Sequence, residues 1–169
     1  GGTVDLEEAF AYLGGRRTKF TERIWYHEPK LNDEGEMEDG LDFKEFAIIV
    51  WNFCTLSPFH MAKMIFEIFD IEMINELERA DIEAMYRFMY DCDDHDEFYV
   101  AQVPYDNEGN ISKQEFASFV SKRKHIIQPA LDYQLRLRKK MGGFIMWEGL
   151  AGFRRRMFLV YDEQSATME

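Results

Sequence analysis

The chain has 169 residues, 46% of them hydrophobic and 15% aromatic, enough for a sizeable core and too apolar for a disordered segment. A net charge of −12 argues against the whole molecule binding nucleic acid or anionic lipid. Two cysteines, Cys54 and Cys92, make no disulfide framework and point to reduced thiols in a cytosolic setting. No apolar stretch approaches the roughly 20 residues that span a bilayer.

Near its start the chain carries Val4-Asp5-Leu6-Glu7-Glu8, and the first helix is predicted over 6–13, with Gly14-Gly15 as its stop. Thr18 or Thr21 can cap a second helix that carries Phe20, Ile24 and Trp25 and ends before Pro29. An acidic loop with Glu34, Glu36 and Glu38 leads into Gly40-Leu41-Asp42-Phe43-Lys44-Glu45-Phe46 and a helix over 43–54. Ser57-Pro58 restarts the chain, serine as N-cap and proline at the first helical position. The helix that follows, through Phe69, is apolar on most of its girth, and His60 at its start reads as a capping or surface histidine. A helix over 79–90 carries Ile82, Met85, Tyr86 and Met89 on one face. The run Asp91 to Glu97 holds Cys92 and His95, a spacing that could hold zinc; no second soft-ligand pair matches it, and an acidic linker explains it without chemistry.

A motif recurs through this order. Glu8, Glu45, Asp81 and Glu115 each stand four residues after Val4, Leu41, Leu77 and Ile111, in steps of 37, 36 and 34 residues. Over about residues 1–124 the chain resembles the four-EF-hand calcium-binding proteins of the calmodulin and calcineurin B type. The resemblance implies an all-α fold of paired helix–loop–helix units. The first pair covers 1–55 and the second 56–124, with a basic helical extension over 125–169. It implies that Val4 pairs with Leu41, and Leu77 with Ile111, in two-residue antiparallel bridges. With Glu8 in the last loop position, Gly2 falls at position 6, so the sequence is expected to be part of a longer chain.

The resemblance also assigns ligand positions. In the second loop Glu34, Glu36, Glu38, Asp42 and Glu45 take positions 1, 3, 5, 9 and 12, with Gly40 one place late. In the third, Asp70, Glu72, Ile74, Asn75, Glu78 and Asp81 take positions 1, 3, 5, 6, 9 and 12. Ile74 cannot coordinate a hard cation, so this hand is expected to be structural, with Asn75 in the left-handed conformation. In the fourth, Asp106, Glu108, Asn110, Ser112 and Glu115 are the remaining candidates for Ca2+, behind Pro104, which has no side-chain oxygen at position 1. Low calcium occupancy is the expectation.

Past residue 115 the charge inverts. Residues 1–115 carry 27 acidic and 10 basic side chains; residues 116–158 carry 10 basic and 2 acidic. The basic residues include Arg136, Arg138, Lys139, Lys140, Arg154, Arg155 and Arg156. One helix is predicted from Pro129, with Leu131 and Leu135, up to Gly142-Gly143, and a second over 144–158. Met146, Leu150, Phe153 and Met157, spaced four, three and four, form a stripe on the second. That stripe is expected to dock in a groove lined by Phe66, Phe69, Met85, Met89 and Phe119, or on an acidic partner; linkage on one chain favours the internal contact.

Three functional classes follow. The first is a cytoplasmic regulatory or structural subunit, in a larger chain or complex that includes cytoskeleton-associated assemblies, which holds a helix of a partner protein with weak or vestigial calcium binding. The alternative is a calcium sensor that exposes a Met- and Phe-rich groove. An enzyme is not expected: there is no nucleophile–base pair, phosphate loop or zinc motif, and the four histidines are scattered.

Overall fold

The computed structural model describes residues 3–4, 6–13, 17–25, 41–94 and 96–166, with side chains placed for 7–13, 17–25, 41–94 and 96–157. The chain is mostly helical. In order the elements are β1 (Thr3–Val4), α1 (Leu6–Leu13), α2 (Lys19–Trp25), β2 (Leu41–Asp42), α3 (Phe43–Thr55) and α4 (Pro58–Phe69). They continue with β3 (Glu76–Glu78), α5 (Arg79–Tyr90), α6 (Glu97–Val100), β4 (Asn110–Ser112) and α7 (Lys113–Lys122). A 3₁₀ turn (Lys124–Ile127) then leads into α8 (Gln128–Lys140) and α9 (Phe144–Ala166).

Local chemistry sets most of these ends. Ser57 accepts from His60 N with Pro58 at the first helical position, and His60 Nδ1 lies 2.9 Å from Ser57 Oγ. Thr18 Oγ1 accepts from Thr21 N ahead of α2. Gly142 and Gly143, at φ 114° and 87°, end α8 in a conformation that costs glycine least. The predicted loop pairs meet: Val4 opposite Leu41, and Leu77 opposite Ile111, both antiparallel. The second bridge runs to three residues on each strand rather than two.

The fourth unit departs from the repeat. Its entering helix is the single turn α6, capped by Asp96. Only 13 residues separate Tyr90 from Pro104, and the acidic run uses half of them. Val100 and Val103 are nevertheless buried, so one turn suffices to close that side of the core.

Aromatic residues tie the units together. Trp25 stacks on Phe46 at 5.4 Å and meets Phe10 edge-on at 6.4 Å. α4 lies along α7, with Phe66 against Phe116 at 5.8 Å. α2 packs on α5, and Phe20, Phe88 and Phe69 form a chain of edge-on rings. One buried cluster draws on both pairs of units and on the basic extension.

The extension packs inward, on faces other than those expected. In α8 the buried residues are Ala130, Tyr133, Gln134, Leu137 and Arg138, whereas Leu131 is half-buried and Leu135 exposed. Among the α9 side chains described, Trp147 and Ala151 are buried, and Met146, Phe153 and Met157 are each about half exposed. The buried face is thus displaced from the predicted stripe by about one residue, or roughly 100°. Trp147 causes the displacement: its ring is the largest apolar surface on the helix, and its indole N–H donates to Met141 O at 3.0 Å.

Candidate functional site

The two loops described in full hold their carboxylates on their own backbone. In the third, Asp70 is buried; Oδ1 accepts from Ile74 N at 2.9 Å and Oδ2 from Asn75 N at 2.8 Å. Met73 and Asn75 have positive φ of 56° and 61°, which curls the loop around that carboxylate. Asp81, in the last loop position, turns Oδ2 to Glu78 N at 3.0 Å. A concavity of about 370 Å³ remains, with Phe69, Ile71, Ile74 and Leu77 among its acidic walls.

In the fourth loop Asp106 Oδ1 accepts from Glu108 N and Asn110 N, both at 2.9 Å, and Gly109 turns at φ 88°. Glu115 Oε2 accepts from Ser112 N at 3.2 Å. Glu45 Oε2 accepts from Asp42 N at 3.0 Å in the same manner. Glu45, Asp81 and Glu115 therefore each accept the amide of position 9 in their own loop, stabilising the exiting helix. Glu34, Glu36 and Glu38 lie outside the described residues, as does His95. Among the described residues no three His, Cys, Asp or Glu side chains are arranged to hold a metal ion. Ile74 offers no oxygen at its place in the third loop, and in the fourth Glu115 would have to turn from the Ser112 amide to reach a cation.

The second candidate region is the seam between the end of α3 and the extension. The last turn of an α-helix leaves carbonyls without intrahelical donors and carries partial negative charge. Side chains from α8 and α9 supply the donors. Gln134 Nε2 donates to Phe53 O at 2.7 Å and Leu56 O at 3.0 Å. Arg138 Nε donates to Cys54 O at 2.7 Å, and its Nη1 pairs with Glu148 at 2.8 Å. Arg154 Nη1 donates to Asn52 O at 3.1 Å and Thr55 Oγ1 at 2.6 Å. Beside them Trp25 Nε1 donates to Tyr133 Oη at 2.7 Å, and Tyr133 packs on Phe53. Burial pushes the Cys54 thiol up to about 12, with Arg138 pulling the other way, so Cys54 is inert as a nucleophile at neutral pH.

The seam corrects two expectations. The proposed groove residues Phe66, Met85, Met89 and Phe119 are buried and Phe69 half-buried, all within the shared core. The extension docks mainly on the first pair of units, with α8 packed against α1, α3 and α5, and α9 against α3 and α8. Arg138 and Arg154 donate to carbonyls at the end of α3, and the ion pair of Arg138 lies within the extension itself. Of the seven basic residues singled out, Arg138 is buried and Arg154 half-buried; Arg136, Lys139, Lys140, Arg155 and Arg156 are exposed. Sequence patterning missed Tyr133, Gln134 and Trp147. The spacing of Ala130, Tyr133, Gln134 and Leu137 was the available signal, masked by the larger Leu131 and Leu135.

Arg138→Met keeps the aliphatic bulk and removes the donor. It is expected to cost about 1–3 kcal/mol, because Cys54 O is left buried without a partner. Urea denaturation measures this; an unchanged midpoint would show that water reaches the carbonyl.

No family model, curated protein or solved structure matches the chain. No helix among the described residues is long and apolar enough to cross a membrane.

Proposed function

We propose that the chain is a regulatory or structural subunit of the EF-hand kind, cytoplasmic, non-enzymatic, and weak in calcium binding, whose work is to hold a helix. The observation that carries this reading is the pairing of four loop strands in two antiparallel bridges, with α8 docked against the first pair of units as a partner helix would be. On this reading α8 is the resident occupant, and a helical segment of a partner protein competes with it for Trp25, Phe53 and the carbonyls at the end of α3. The loops support the weak-calcium part, since their carboxylates already serve as helix caps and backbone acceptors.

Calcium titration by calorimetry separates this from a sensor. Binding weaker than about 10⁻⁵ M is expected, with unchanged tryptophan fluorescence. Sub-micromolar binding accompanied by exposure of apolar surface to a fluorescent dye would replace the subunit reading with the sensor.

A further inference from the structure

The corner between α8 and α9 sends Trp147 into the core and leaves three apolar residues outside it. Gly142 and Gly143 turn the chain, and Trp147 takes the inward direction. The residues between, Phe144, Ile145 and Met146, are 57%, 88% and 42% exposed. Three consecutive residues on a helix point about 100° apart, so together they form an apolar knob rather than a stripe for another helix. Immediately before them, Arg136, Lys139 and Lys140 are exposed at the end of α8 and form no ion pair among the described residues. The two acidic residues of the basic segment are engaged elsewhere, Glu148 with Arg138 and Asp132 with Gln128.

We propose that this corner is a peripheral docking site for an anionic lipid bilayer, with Phe144, Ile145 and Met146 entering the interface and Arg136, Lys139 and Lys140 lying on the headgroups. Apolar side chains backed by cations are what interfacial binding requires. The acidic majority of the chain does not forbid it. Screening limits each charge to about 8 Å at physiological salt, so the bilayer responds to the charges at the corner rather than to the net charge. An anionic bilayer is the occupant because it supplies at one surface both an apolar phase for the exposed Phe144, Ile145 and Met146 and anionic headgroups for three exposed cations.

Co-sedimentation of the full chain with phosphatidylcholine vesicles, with and without about one third phosphatidylserine, tests this. Binding is expected only with the anionic lipid, falling with salt. Lys139→Glu with Lys140→Glu should lower partitioning by at least about fivefold for each lysine lost. Ile145→Asp should lower it too while leaving the charge contacts in place. All three positions are exposed, so circular dichroism should be unchanged. No binding to anionic vesicles at low salt would overturn the proposal. So would binding indifferent to Ile145→Asp, or self-association that the lysine variants abolish without any vesicle partitioning.

Discussion

A chain truncated after Lys124 is expected to lose its cooperative fold. The residues removed include Ile126, Ile127, Tyr133, Leu137 and Trp147, all buried. At roughly 1.5–3 kcal/mol each, their burial is worth about 10 kcal/mol, which is comparable with the whole stability of a domain. The loss falls on both sides of the seam, because Trp25, Phe53 and Cys54 are buried in the full chain beneath residues that would be gone. Thermal unfolding followed by circular dichroism, with size-exclusion chromatography, reads the outcome. A broad or absent transition with aggregation is expected. A sharp transition within a few degrees of the full chain, from a monodisperse sample, would show that the paired units form a core of their own.

The features legible in the sequence are those whose cause lies within a few residues. Ser57-Pro58 starts α4 because a serine oxygen and a proline ring need only their neighbours. The left-handed Asn75 and the ends of α1 and α5 fall where residue chemistry places them. Val4, Leu41, Leu77 and Ile111 could be paired because the repeat fixed their register before any contact was known. The seam was not legible because its hydrogen bonds to the end of α3 join residues 78 or more positions apart. Gln134 reaches Phe53 and Arg138 reaches Cys54, and nothing near positions 134 or 138 signals a helix end waiting for donors. Counting charge misassigned the arginines for the same reason: it treated an acidic body and a basic tail as two bulk charges. The inward arginines find backbone dipoles, which carry no formal charge and leave no mark on composition. The candidate metal loops were partly legible, since Ile74 and Pro104 disqualify their positions on chemistry alone. The turning of Asp81 and Glu115 toward position 9 required the coordinates.

Trp25→Ala is expected to be the most damaging single substitution along the seam, at about 3–5 kcal/mol. Trp25 is 1% exposed, stacked on Phe46, edge-on to Phe10 and hydrogen-bonded to Tyr133, so it joins α2 and α3 to α8. Trp25→Phe separates the cavity from the hydrogen bond. Combined with Tyr133→Phe in a double-mutant cycle, the two should couple by on the order of 1 kcal/mol. A coupling near zero would show that packing alone joins α2 to α8. The same contact predicts a pH dependence. Burial pushes the Tyr133 hydroxyl up to about 12 from its ordinary value of 10, with the Trp25 hydrogen bond acting in the opposite direction. The folded state therefore keeps its proton where the unfolded chain has lost it. The contribution is full below about pH 10 and is lost as pH rises toward 12. Tyr133→Phe should flatten the fall in unfolding midpoint over that window, and an equally steep fall in the variant would assign it to other groups.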